Sequence, residues 1–212
     1  MESRYIVFKG KHSIVSIFKE GDLVLVKKQF LSSEFKANFF KELLAYKKLS
    51  YYSFIPRLFS YNENEFFLIL EYIEGINLKD LIKKIKITNH INKEDKRKVF
   101  FNLMLKIYKV LIKICIVLDI EGVFKDEWNR PFKHVIFKFN ENRDLVGIYI
   151  IDFDRSVLNK NLKNLPQFLT FIFNNLGFNN YFYLLRDIIK YYREVFGNYL
   201  SFKKSSFPLF FK

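Results

Sequence analysis

The sequence predicts an α+β protein, with a β-rich first part of about 70 residues and then a mostly helical part that carries one hairpin. Three observations predict this. Residues 5–30 alternate in hydropathy between glycine-marked turns. Residues 34–49 and 93–119 repeat apolar side chains at helical spacing, and residues 134–153 return to a strand pattern.

Each element has its own local reason. In "YIVFKGKHS", "IVSIFKEGD" and "LVLVKKQF", Gly10 and the pair Gly21-Asp22 mark tight turns, so three antiparallel strands are expected. "EFKANFFKELLAYKKL" sets Phe35, Phe39, Leu43 and Tyr46 along one face of a helix, with Ser32 or Ser33 as its cap. After Pro56, "RLFSYNENEFFLILEYIEG" reads as two strands around Asn62-Glu63-Asn64, and Gly75 breaks the pattern. "INLKDLIKKIK" is a short helix with Asn77 as a possible cap. Residues 93–119 make a long helix with Val99, Leu103, Ile107, Val110 and Ile114 on one face. A loop over 120–134, a hairpin turning at Glu141-Asn142 and helix over 160–200 complete the chain, without internal repeats.

The bulk numbers narrow the function. At 212 residues the chain can bury a sizeable core, and 50% hydrophobic content with 27 Phe and 13 Tyr excludes general disorder. The net charge is +14. Residues 1–75 hold 11 basic and 9 acidic side chains, residues 76–150 hold 16 and 9, and residues 151–212 hold 9 and 4. The positive field of the last two thirds favours polyanions: nucleic acid or a ribonucleoprotein, a phosphate-rich ligand, or an acidic partner. Cys115 is the single cysteine, so no disulfide forms within the chain. Cys115, His12, His90 and His134 lie too far apart for zinc-ligand spacing. The N-terminus lacks the apolar run of a secretion signal, and the longest apolar stretch, "VLIKICIVL", is broken by Lys113 and too short to span a bilayer. A cytoplasmic protein without a membrane span is expected.

The charged residues fall at telling points. "LVLVKK" ends a strand in Lys27-Lys28, the next helix carries Glu42, and "VGIYIIDFD" runs a buried strand into Asp152 and Asp154. A strand lysine, a helix acid and an aspartate at the end of a later strand are what nucleotide phosphates require. The lysine neutralises phosphate oxygens, the helix acid holds the lysine, and the aspartate ligates the phosphate-bridging magnesium. Lys27 is the first candidate, because it shares a strand face with Leu23 and Leu25, and Lys28 is the alternative.

On these residues the chain resembles the protein-kinase-like superfamily over nearly its whole length. "LVLVK" resembles the ATP-contacting strand, "FFKELLAYKKL" the helix with the ion-pair glutamate, "LILEYIEGINLKDLI" the hinge, and "IIDFD" the metal-binding motif. The lack of a large activation segment makes it similar to small atypical kinases of the RIO, KEOPS-complex and lipopolysaccharide-kinase-like kind. The resemblance implies a two-lobed fold, residues 1–75 forming the antiparallel N-lobe and 76–212 a reduced helical C-lobe. It implies ATP and Mg2+ as cofactors, with transfer to a hydroxyl, foremost Ser or Thr of a protein and alternatively a sugar or other small molecule.

The residue roles implied by the resemblance follow in chain order. Gly10 and Ser13 stand in the phosphate-covering loop, which is poorer in glycine than the family's. Lys27 holds phosphates, Glu42 orients it, and the backbone around Glu71 and Ile73 meets the adenine. In "GVFKDEWNRPFKHVIF", Glu127 or Asp126 stands at the acceptor-orienting base, Lys125 replaces the family's histidine, and His134 falls near the metal-binding asparagine. Asp152 is the metal ligand, while Asp154 replaces a glycine. The sparse loop and the altered catalytic segment leave an ATP-binding pseudokinase as the rival. Trp128 is expected to pack in the core.

Overall fold

The computed structural model describes residues 3–87, 93–128, 130–142, 144–159, 162–176 and 182–206. Through residue 87 the elements are β1 (Ser3–Lys9), β2 (Ser13–Glu20), β3 (Leu23–Phe30), α1 (Lys36–Leu49), β4 (Leu58–Asn62), β5 (Phe67–Glu71), β6 (Ile76–Asn77) and α2 (Leu78–Ile87). Then come α3 (Lys93–Glu121), β7 (Val123–Phe124), β8 (Val135–Phe139), β9 (Leu145–Ile150), β10 (Val157–Leu158), α4 (Asn164–Leu176) and α5 (Phe182–Ser206). The chain is α+β, and it divides into two compact units. One comprises Met1–His90 and Pro131–Val157, the other Ile91–Arg130 and Leu158–Lys212. The hairpin that the sequence assigns to the helical part therefore groups with the N-terminal sheet.

The first unit is built on a five-stranded antiparallel sheet in the order β1-β2-β3-β5-β4. The β2–β3 turn runs through Gly21, whose φ of +58° is a conformation that glycine adopts without penalty. β3 lies in the middle of the sheet, so its two faces see different surroundings. Phe30 packs edge-on against Phe39 of α1 at 5.8 Å, and Leu68 of β5 is fully buried. The buried face of α1 carries Phe39, Leu43, Ala45, Tyr46 and Leu49, and Glu42 among them. The expected serine cap is not formed: Ser32 makes no side-chain cap bond, and the chain enters α1 through a 3-10 turn in which the Phe35 amide donates to the Ser32 carbonyl.

A second sheet in the same unit orders β6-β8-β9. Gly75 sits just before β6, where a Cβ would lie 2.5 Å from the Phe137 carbonyl oxygen, so only glycine fits this approach. Asn77 caps α2 as expected, its Oδ1 accepting the Asp80 amide at 2.9 Å. β8 and β9 pair Val135 with Ile150, so His134 and Ile151 follow as neighbours and the Ile151 amide donates to the His134 carbonyl.

In the second unit Asp119, near the end of α3, organises the core. Its Oδ1 accepts the amides of Lys163 and Asn164 and the Asn164 side-chain amide, and its Oδ2 accepts the Leu165 amide and the Tyr192 hydroxyl. One carboxylate thereby caps the start of α4 and ties α5 to it. Asn164 passes the order on to residues 123–125 by donating to the Val123 carbonyl and accepting the Lys125 amide. Trp128 is buried against Phe168, as expected, and Cys115 is buried and free. Among the described residues no helix is long and apolar enough to cross a membrane. His90 lies outside the described residues.

Candidate functional site

The site forms within the first unit, where α1 faces the residues that follow β9. Lys28 of β3 places its Nζ 2.6 Å from Glu42 Oε2 and 2.7 Å from Asp152 Oδ1. The lysine and glutamate side chains are 9% and 1% exposed, while that of Asp152 is 33% exposed. A buried ammonium between two carboxylates is stable only with such geometry, because desolvation of each ion has to be offset. Burial by itself would lower the Lys28 pKa. Glu42, Asp152 and Asp154 outweigh that effect and raise it, so this lysine is a fixed cation. Burial pushes Glu42 up to about 7, with Lys28 pulling it down and Asp152 adding to the rise.

Asp152 is held from several sides. Its φ of +66° lies in the left-handed region, which aspartate tolerates better than most residues. The next residue, Phe153, is fully buried, with its ring edge-on to Tyr46 at 5.5 Å. Tyr46 also hydrogen-bonds the Asp152 backbone, and burial raises the pKa of its hydroxyl well above the ordinary value. Two bonds carry the following turn onto α1: the Asn38 side-chain amide donates to the Asp154 carbonyl at 3.0 Å, and the Ser156 hydroxyl donates to the Lys41 carbonyl at 3.3 Å. His134 Nδ1 lies 3.3 Å from Asp152 Oδ2. Side-chain oxygens from Asp152, an imidazole nitrogen beside them and an excess of carboxylates over lysine make a donor set that fits a divalent cation.

The lysine differs from the expected one. Lys27 points to the opposite face of the sheet, its Nζ 4.2 Å from the centre of the Phe67 ring. There it lines a groove of about 320 Å³ together with Leu23, Leu25, Phe18 and Phe59. The expected sharing of a face with Leu23 and Leu25 is present, but that face turns away from α1. Adjacent residues of a strand point to opposite faces, so the one-residue difference decides which lysine meets Glu42.

The remaining candidates are placed as follows. The Gly10 amide donates to the Ser13 carbonyl at 2.8 Å and closes the β1–β2 turn, with Ser13 buried. His12 packs on Phe35 at 4.5 Å. The Glu71 carboxylate accepts the Arg57 amide, and Ile73 is buried. Asp126, Glu127 and Lys125 belong to the other unit, where Asp126 is exposed and Lys125 Nζ lies 3.4 Å from Glu127 Oε2. The sequence marks neither the role of Asp119 nor the contact of Tyr46 with Asp152. Asp119 is marked only by being an acid at the apolar end of a long helix, and Tyr46 reads as one of many core aromatics.

Comparison with protein-family models finds no match, and comparison with curated proteins finds none either.

Proposed function

We propose that the chain is a two-lobed, protein-kinase-like phosphotransferase that uses ATP to phosphorylate a hydroxyl, foremost Ser or Thr of a protein. One observation carries this reading: a buried lysine on a central strand bridges a helix glutamate and the aspartate that follows a later strand. Lys28 supplies a permanent positive charge for phosphate oxygens, and Glu42 fixes its position. Asp152, partly exposed, is the carboxylate that holds the divalent cation, Mg2+ in the resemblance. When bound, that cation would neutralise charge on the β- and γ-phosphates. The acceptor oxygen attacks the γ-phosphorus, the bond to the β,γ-bridging oxygen breaks, and ADP leaves. By resemblance, Glu127 or Asp126 orients the acceptor hydroxyl and takes up its proton.

The test is ATP turnover and autophosphorylation with a divalent cation in wild type, Asp152→Ala and Lys28→Met. Turnover lost in both variants supports the reading, whereas equal background-level signals in all three overturn catalysis. Nucleotide binding that persists in that second case identifies an ATP-binding pseudokinase.

A second reading, association with nucleic acid, is favoured by a groove of about 660 Å³ between α4 and α5, whose lining includes Arg186, Lys190 and Arg193 with Glu194 as its one acid. These cations recur along α5 three or four residues apart, and Lys and Arg side chains neutralise backbone phosphates. Binding with a steep salt dependence, weakened by their removal and indifferent to ATP, supports it.

A further inference from the structure

We propose that the cation at Asp152 is bound through the His134 imidazole as well as the carboxylate, so that the site selects a divalent transition ion, Mn2+ included, over Mg2+. The inference rests on the nucleotide-site reading and says which metal that site takes.

The two donors are brought together by backbone pairing rather than by chance proximity of long side chains. The Val135–Ile150 register of β8 and β9 sets His134 beside Ile151, and the Ile151 amide donates to the His134 carbonyl at 3.0 Å. Asp152 is the next residue. On the other side the His134 amide donates to the Pro131 carbonyl, closing the 3-10 turn that precedes it. His134 Nδ1 then lies 3.3 Å from Asp152 Oδ2, while Oδ1 of the same carboxylate meets Lys28. The side chains are 17% and 33% exposed, sheltered but open to a hydrated ion.

The chemistry follows from the donors. Mg2+ is a hard cation that binds oxygen and gives up its waters reluctantly. Imidazole suits later first-row ions, and affinity for nitrogen-containing sites rises from Mn2+ onward. A histidine at the carboxylate therefore penalises Mg2+ relative to Mn2+. The excess of carboxylates around Lys28 attracts either ion and does not choose between them.

Mn2+ is the probe, because its electron spin reports directly on a coordinated nitrogen. The full chain is prepared with 15N-labelled histidine and loaded with Mn2+ and ADP, and pulsed electron paramagnetic resonance is recorded. The expected result is a directly coordinated 15N coupling that disappears in His134→Asn and in His134→Gln. In the same variants the Mn2+:Mg2+ affinity ratio falls by about tenfold. The wild-type spectrum does not depend on any variant folding. A Mn2+–ADP complex that Asp152→Asn weakens but that shows no histidine coupling overturns the inference and leaves the nucleotide-site reading standing. If Mn2+ and ADP do not bind at all, both are overturned.

Discussion

Lys28 and Glu42, 14 residues apart in the chain, meet at 2.6 Å where the glutamate is almost wholly buried. Removing the cation from such a pair leaves a carboxylate in the core without its partner. Lys28→Met is expected to destabilise the first unit by about 3–5 kcal/mol and, under the proposed function, to abolish nucleotide binding. Lys27→Met removes only a cation held over the Phe67 ring, and is expected to change stability by less than about 1 kcal/mol. Denaturant unfolding and nucleotide titration of the two variants decide between neighbouring lysines. Equal effects would remove Lys28 from its special role.

The same pair fixes a pH dependence. The ion pair keeps Lys28 protonated above its ordinary value yet does not fully offset the burial of Glu42, which is raised from 4.5 to about 7. A carboxyl with a raised folded-state pKa binds its proton more tightly in the native protein. Its contribution to stability is complete below about 4.5 and is lost as pH rises to about 7. Lys28 titrates above 10.5 and does not shape this window. Glu42→Gln is therefore expected to flatten the stability profile between these limits, with the wild type losing at most ~3 kcal/mol relative to the variant across them. Chemical denaturation at several pH values measures this, and parallel profiles would contradict it.

Gly75 offers a purely steric prediction. Alanine there would place its Cβ 2.5 Å from the Phe137 carbonyl oxygen and 2.7 Å from an Ile136 methyl carbon. The carbonyl belongs to the β6–β8 pairing through Phe137 and Ile76, so relief requires the strands to part. Gly75→Ala is expected to lower stability by about 1–3 kcal/mol. Gly197→Ala, where no atom lies within 4 Å of the added Cβ, serves as the control and is expected to be neutral or slightly stabilising.

Much of the fold was legible because alternation and turn chemistry agree. The five strands of the first sheet and α1 follow from Gly10, Gly21-Asp22, the Asn62-Glu63-Asn64 turn and the apolar spacing of residues 34–49. The facing of β3 was harder to read. "LVLVKKQF" begins with four consecutive apolar residues although Leu23 and Val24 are exposed and only Leu25 is buried, and such a run has no phase. A signal was present two residues later: Phe30, an aromatic in phase with Lys28, packs on α1. The two-residue strands β6, β7 and β10 are too short to carry a pattern of their own. Glu42 was found through its distance from the lysine, which a helix following a strand fixes closely. Resemblance alone assigns His134 to a metal site, and its contact with Asp152 depends on a hairpin register that apolar strands of similar length do not specify.

The organising role of Asp119 is open to an equally direct test. Its two oxygens receive the backbone amides of Lys163, Asn164 and Leu165, the Asn164 side chain and the Tyr192 hydroxyl, all in the interior of the second unit. Asp119→Ala leaves these donors without an acceptor in a place water does not readily reach. A loss of about 4 kcal/mol or more is expected, since each orphaned buried donor costs about 1–3 kcal/mol and relaxation recovers part of the sum. Tyr192→Phe removes one neutral donor to a charged acceptor and leaves the rest, so about 1.5–3 kcal/mol is expected. The double variant should lose little more than Asp119→Ala alone, because the hydroxyl then has no carboxylate to meet. Thermal and denaturant unfolding of the three proteins test this, and additive losses would show that Tyr192 stabilises α5 by some route other than Asp119.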